Sequence, residues 1–281
     1  MRLIDVKRKI LGALEDVDGK ARESELILSH LYGLDLNQLH LKLFDDVEPS
    51  DELDAILSRR TAGEPLEYIL GNTVFCGLDF AVSPDCLIPQ SDTEVVADEA
   101  IAHIKDGQRF IDLCTGSGCI AVVISKKTGA VGTAVDISEM ALDIAEKNAK
   151  INGVSEKIGF VCADILTDTS FFDGEKFDLV VSNPPYVKTA DIPSLSSEVR
   201  HEPFIALDGG DDGLLFYKRI IDIAPSLMKN DGSLVLEVGC DTSKSVCGLL
   251  ESNGFEYTVI KDYGNNDRCV FARIDISRRK S

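Results

Sequence analysis

The sequence predicts an α/β fold: a largely parallel sheet covered by helices on both faces, with an antiparallel last strand, behind a small N-terminal helical domain. Three observations predict it. From Arg109 onward, short apolar runs rich in β-branched residues alternate with segments of helical period, which is the pattern of a parallel sheet. The last two runs, Glu256 to Lys261 and Arg268 to Ile274, have only a Gly-Asn-Asn turn region between them. That is too short for a helical crossover, so this pair should be antiparallel. Residues 1 to about 70, by contrast, read only as helices.

Taken in order, Leu3, Val6, Ile10, Leu14 and Val17 recur at helical spacing and stop at Asp18-Gly19. A second helix runs from about Ala21 to Tyr32 and ends at Gly33. A third, short one holds Leu36, Leu39 and Leu43. The fourth starts at Ser50 as N-cap, turns Leu53, Ile56 and Leu57 inward, and carries Arg59 and Arg60 ahead of Gly63. His30 and His40 lack companions and read as surface or packing residues. The domains expected are 1–70, helical; 71–91, a linker containing a hairpin; and 92–281, the sheet domain. In the linker, Thr73-Val74-Phe75 and Leu78 to Val82 flank Cys76-Gly77. Asp92 or Thr93 should cap the next helix.

In the sheet domain, strands are expected at Phe110–Cys114, Val131–Asp136, Lys157–Cys162, Phe177–Ser182 and Gly232–Val238. Helices are expected at about Cys119–Lys127, Glu139–Ile151, Gly213–Met228 and Thr242–Ser252. The tail from Ser277 to Ser281 should fray.

Composition narrows the class. With 44% hydrophobic and 27% charged residues, the chain is globular. No stretch approaches the roughly 18 apolar residues of a membrane helix, and the N-terminus lacks a signal-peptide core, so the expected location is cytoplasmic, away from membranes. The 8 cysteines include no C-x-x-C pair, so no metal is expected. Cys114, Cys119, Cys162, Cys240 and Cys269 sit in apolar runs and should behave as small core residues. A net charge of −19 is a poor footprint for a protein that grips phosphate backbones.

Two motifs carry chemistry. Phe177 to Val181 empties into Ser182-Asn183-Pro184-Pro185-Tyr186. The two prolines fix φ and contribute no N–H, so carbonyl acceptors there have no competing donors. Asn183 adds a side-chain carbonyl and Tyr186 a flat face. Asn183, Pro184, Pro185 and Tyr186 could together grip a planar –NH₂ group. The other motif is Asp112-Leu113-Cys114-Thr115-Gly116-Ser117-Gly118, where the first strand of the alternating region hands over to its helix. Glycines there admit a ligand close to the backbone. Asp136, ending the next strand, can accept from ribose hydroxyls; Asp164 could border an adenine and Ile165 cover its face. Gly116-x-Gly118-x-x-Ala121 is a loose dinucleotide fingerprint. NAD is opposed by N-P-P-Y, which has no role in hydride transfer, and by the antiparallel last strand. Both fit S-adenosylmethionine, with Asp112 and the glycine loop receiving its methionine part.

These residues resemble the protein glutamine N5-methyltransferases that modify peptide chain release factors (the HemK/PrmC type). The likeness extends over nearly the whole chain. It includes Arg59-Arg60-x-x-Gly63-Glu64-Pro65, Tyr68 to Gly71, Phe75-x-Gly77-Leu78-x-Phe80, Thr115 to Gly118 and Ser182 to Tyr186. It continues through Glu202-Pro203, Ala206 to Gly210, Asp212-Gly213-Leu214 and Leu236-Glu237-x-Gly239. The resemblance implies a Rossmann-like class I S-adenosylmethionine methyltransferase sheet. It implies the glutamine of the Gly-Gly-Gln tripeptide in class I release factors as substrate, held by Asn183 through Tyr186. Asn183 would also border the cofactor. A cytoplasmic monomer with no direct nucleic-acid contact is expected. The chain departs from the family pattern in three places: Gln90-Ser91-Asp92 replaces R-P-E, Cys114 stands where glycine is common, and His201 where Tyr often precedes Glu-Pro. Competing readings are a DNA adenine N6-methyltransferase, which also acts on a planar –NH₂, a ribosomal protein glutamine methyltransferase, a non-catalytic cofactor-binding module and an NAD dehydrogenase.

Overall fold

The structure, a computed structural model, describes residues 1–275 apart from 169, 173 and the side chain of 171; the expected frayed end at 277–281 lies outside the described residues. The chain forms two compact units, Met1–Gly71 with Ser196–His201, and Asn72–Leu195 with Glu202–Ser281.

The first unit is helical: α1 (Leu3–Ala13), α2 (Lys20–Tyr32), α3 (Leu36–Leu41), α4 (Leu53–Thr61) and α5 (Leu66–Leu70). Leu3, Val6 and Ile10 of α1 pack with Ile27 and Leu28 of α2 and with Leu53, Ile56 and Leu57 of α4 in one core. α1 stops one turn earlier than its apolar spacing suggests, and Leu14 is buried as its C-cap. α2 ends at Gly33 with φ 62°, the left-handed conformation that glycine adopts without penalty. α3 carries a capping box between Asp35 and Gln38. Ser50 is not the cap of α4; Glu52 occupies that position, and Ser50 Oγ accepts the Glu52 N–H at 3.3 Å. α5 was not anticipated, because five residues after Pro65 are too few to show a helical period. Ser196–His201, an excursion from the sheet domain in sequence, belongs to this unit. Arg60, almost fully buried, pairs with Glu23 and with Glu198 of that segment.

The second unit opens with the hairpin β1 (Asn72–Phe75) and β2 (Leu78–Ala81), turned by Cys76 and Gly77, both at positive φ. The hairpin, expected as a linker, is tied into this unit. The buried Asn148 carboxamide accepts the Ala81 N–H at 2.7 Å and donates to the Ala81 and Ser117 carbonyls. After α6 (Glu94–Ala102) come β3 (Arg109–Leu113), α7 (Cys119–Thr128), β4 (Val131–Asp136), α8 (Glu139–Ile151), β5 (Ile158–Cys162) and β6 (Phe177–Ser182). They are followed by α9 (Phe204–Leu207), α10 (Leu215–Leu227), β7 (Met228–Glu237), α11 (Ser243–Ser252), β8 (Phe255–Lys261) and β9 (Asp267–Ile274).

The large sheet has the order β5-β4-β3-β6-β7-β9-β8. β3 to β7 are parallel, and β9 runs antiparallel to both β7 and β8. The reversed strand is therefore inserted between its predecessors. Alternate residues face opposite cores. Ile111, Leu113, Val180, Leu234 and Leu236 pack beneath α10 and α11. Phe110, Leu179, Val181 and Val235 pack beneath α6 and α7. Among the cysteines, Cys119 and Cys269 are buried as expected, but Cys162 and Cys240 are exposed: Cys162 ends β5 and Cys240 lies in the turn after β7, where the apolar runs leave the core. No helix among the described residues is long and apolar enough to cross a membrane.

Candidate active site

All parallel strands end on one edge, and a cavity of about 440 Å³ opens there. At its floor β3 turns into α7. The Thr115 N–H donates to Val135 C=O at 3.0 Å, the Gly118 N–H to Thr115 C=O at 2.9 Å, and the Gly116 N–H to Asp136 Oδ2 at 2.8 Å. The turn needs left-handed backbone at Cys114 (φ 59°), Gly116 (φ 54°) and Gly118 (φ 75°). The two glycines have different reasons for lacking a side chain. A Cβ on Gly118 would lie 2.8 Å from Ala145 Cβ, so close packing of α7 on α8 requires hydrogen there. A Cβ on Gly116 would meet nothing within 4 Å; Gly116 lines the cavity, and its bare backbone keeps that space open.

Asp136 lines the cavity at the end of β4. Its other oxygen accepts the Ser138 N–H at 3.0 Å, so backbone donors fix the carboxylate plane and leave a lone pair on each oxygen. Burial raises its pKa, against the lowering by those N–H groups. Asp164 and Ile165 line the wall after β5; Asp164 Oδ1 accepts the Leu166 N–H at 2.9 Å. Cys114, Thr115 and Ser117 complete this side. A carboxylate for ribose hydroxyls, an apolar face and a turn left open at Gly116 fit a nucleoside with an amino-acid tail.

Across the cavity, β6 leads into the Asn-Pro-Pro-Tyr corner. Asn183 and Pro185 line the cavity; Pro184 and Tyr186 do not. Ser182 Oγ donates to Leu113 C=O at 2.6 Å, locking β6 to β3 at the point of exit. Asn183 Nδ2 donates to Thr93 Oγ1 at 3.3 Å, which leaves Oδ1 as the end free to accept. No donor among the described residues bonds the Pro184 carbonyl. The Tyr186 hydroxyl donates to Glu237 Oε1 at 3.4 Å, and its ring edge lies against Gly239.

Asp112 and Gly118, expected at the cofactor, also lie outside the lining. Asp112 is fully buried inside β3; one oxygen accepts the Thr115 hydroxyl at 2.6 Å and the other has no partner. Burial pushes its pKa up to about 7. Its reach is to the turn rather than to the open space.

Sequence reading missed Thr93, Glu237 and the apolar lip of Phe204 and Ile205. Thr93 was read as a cap of α6. It stands at the N-cap but at φ −68° and ψ −18°, a helical backbone that makes no side-chain cap bond, and its hydroxyl accepts from Asn183 instead. Glu237 ends β7 on the same edge as Asp136, and that strand-end position was the available signal. Of the departing positions, Gln90 lines the cavity, Asp92 pairs with Arg268 at 2.9 Å, and His201 lies in the helical unit.

Residues 93–202 match the family model "Methyltransferase small domain" and residues 8–71 match "PrmC N-terminal domain". The chain is 38% identical to a release factor glutamine methyltransferase of Geobacter sulfurreducens, over 97% of this chain and 96% of that one. It is 39% identical to one of Chlorobaculum tepidum over 91% of each. A crystal structure of a ribosomal protein L11 methylase from Lactobacillus delbrueckii subsp. bulgaricus superposes with a TM-score of 0.50 at 20% identity, covering 69% of this chain and 83% of that one; this is a likeness of fold. Identity of that level sustained from end to end, on a methyltransferase sheet whose Asn-Pro-Pro-Tyr corner borders the strand-edge cavity, places this chain in the release factor glutamine methyltransferase family.

Proposed function

We propose that this chain methylates the side-chain amide nitrogen, N5, of the glutamine in the Gly-Gly-Gln motif of class I peptide chain release factors. Family membership supports the reaction, and one structural observation carries the chemistry: Asn183, with Oδ1 free to accept, shares a cavity with Gly116 and Asp136. S-adenosylmethionine, when bound, supplies an electrophilic methyl carbon on a sulfonium. Asp136 would hold its ribose, Asp164 and Ile165 its adenine, and the stretch from Cys114 to Ser117 its methionine part. Asp112 and Gly118 act from behind, by fixing that turn.

An amide nitrogen is a weak nucleophile because its lone pair is delocalised into the carbonyl. Asn183 Oδ1 and the Pro184 carbonyl take its two N–H groups. Pro184 and Pro185 contribute no N–H and keep the corner rigid, and stacking on Tyr186 fixes the amide plane. As the new N–C bond forms and the C–S bond breaks, the nitrogen gains positive charge, and both carbonyl dipoles favour that state over the ground state. The surplus N–H proton then passes to solvent, so no strong base is required. The helical unit recognises the rest of the substrate protein. The enzyme acts as a monomer in the cytoplasm without touching nucleic acid, in keeping with its net charge of −19.

The test offers labelled S-adenosylmethionine with a release factor, a ribosomal protein and DNA side by side. One methyl group should appear on the release factor glutamine, located by peptide mass. Asn183→Ala should lower turnover by at least about 100-fold while cofactor affinity stays within a few fold. Label in DNA alone, or full turnover by the variant, would defeat the proposal.

A further inference from the structure

The substrate –NH₂ presents two hydrogens, so a corner that grips it must offer acceptors only. Asparagine does not guarantee this. Its carboxamide has one accepting and one donating end of nearly equal size, and a half-turn about χ2 exchanges them. A flipped Asn183 would set donor against donor. Something behind it must choose the orientation.

The neighbour that touches it is Thr93, with Oγ1 at 3.3 Å from Asn183 Nδ2. A hydroxyl alone cannot choose, because it both donates and accepts. Glu237 lies near Thr93, and above about pH 7, where it is ionised, its carboxylate only accepts. The Thr93 hydroxyl is close enough to stabilise the charged form of Glu237, which burial opposes. A Thr93 hydroxyl that turns its hydrogen toward Glu237 leaves its lone pairs for Asn183. Thr93 and Glu237 are both at least 95% buried, at 2% and 3% exposure, so water does not compete. Glu237 Oε1 also takes the Tyr186 hydroxyl, so the same carboxylate braces the far end of the corner. Glu237 Oε2 has no hydrogen bond of its own in this arrangement. A buried carboxylate left partly unsatisfied is expensive, and it calls for a purpose.

We propose that Thr93 and Glu237 are positioning residues that fix the Asn183 carboxamide with Oδ1 toward the substrate. The inference rests on the proposed role of Asn183. Neither residue touches the reacting atoms; both act through Asn183.

The test compares Thr93→Val, which keeps the shape and removes the hydroxyl, with Thr93→Ser, which keeps the hydroxyl. In the full-length enzyme Thr93→Val should lower kcat roughly 10- to 100-fold, with KM for the release factor and cofactor affinity within about threefold. Thr93→Ser should restore kcat to within about threefold of the parent. Equal loss in both variants, or parent kcat in Thr93→Val, would overturn the proposal. A second measurement does not depend on turnover. With asparagine labelled in its side-chain nitrogen, the Asn183 –NH₂ pair, assigned by its loss in Asn183→Ala, should move and exchange faster with water in Thr93→Val but not in Thr93→Ser. An unchanged pair in Thr93→Val overturns the inference even if no methyl transfer is found. A changed pair in an inactive enzyme supports it while the functional reading fails.

Discussion

The turn after β3 and the corner after β6 lie side by side, Leu113 opposite Ser182, yet they are held in different ways. The turn is held by its own backbone: three N–H groups, those of Thr115, Gly116 and Gly118, end on nearby acceptors. The corner cannot be held so, because Pro184 and Pro185 have no N–H to give. Side chains behind it do the holding: Ser182 on Leu113, Thr93 on Asn183, Glu237 on Tyr186. A site that meets its ligand with backbone needs glycines. A site that meets its ligand with carbonyls must strip donors away and import its order from neighbours.

Glycine substitutions give the widest test of this contrast. Gly118→Ala puts a methyl 2.8 Å from Ala145 Cβ and 3.1 Å from its Cα, on a backbone at φ 75°. Urea unfolding should show a loss of about 2–4 kcal/mol. Gly116→Ala has the positive φ but open space, so it should lose only about 1–2 kcal/mol. Its methyl enters the cavity instead, and calorimetry should find S-adenosylmethionine bound roughly tenfold more weakly, about 1.4 kcal/mol. If the two variants unfold alike and bind alike, the two glycines do not divide the labour of packing and ligand approach.

The order of legibility follows the same divide. Asp136, Gly116 and Asn183 could be placed from sequence because strand ends and glycine-rich turns announce themselves locally. Asp112 and Gly118 sit in the same motif, but which side chains of a turn reach open space depends on the helix packed behind it. For Gly118 that helix is α8, far along the chain. Thr93 does stand at the N-cap, as its place before a helix suggests, but only tertiary structure reveals that its hydroxyl meets Asn183. Tyr186 reads as a stacking face; its hydroxyl and one ring edge are held by Glu237 and Gly239, contacts that no local pattern announces. The sheet followed from alternation, and the reversed strand from a short connection. The five-residue α5 and the return of Ser196–His201 to the helical unit had no comparable pattern to reveal them.

Each region also buries one carboxylate, and pH sharpens the comparison. Burial raises Asp112 in the turn and Glu237 in the corner to about 7, from ordinary values near 4. Between those limits the folded chain binds more protons than the unfolded chain, so stability falls as pH rises. The penalty is absent below about pH 4 and complete above about pH 7. Asp112→Asn and Glu237→Gln each remove one titration. Each should flatten the decline measured by urea unfolding between pH 5 and 8 by on the order of 2 kcal/mol. A variant with an unchanged slope would place that acid in ordinary solvent-like surroundings.

The smallest effect expected is at Cys114, and it shows why the turn tolerates a residue that glycine usually fills. At φ 59° a side chain is strained by roughly 1–2 kcal/mol. Cys114→Gly would relieve that strain. The glycine would also loosen the unfolded chain, by about 0.5–1 kcal/mol. It would further remove a thiol packed against the core beneath α10, worth about 0.8 kcal/mol as one buried methylene equivalent. These terms nearly cancel, so unfolding free energy should change by no more than about 0.5 kcal/mol. A larger gain would mean that strain dominates; a loss beyond about 1.5 kcal/mol would mean that the thiol packs as a true core residue. Only the loss would show that the backbone-held turn depends on its side chains in the way the proline corner does.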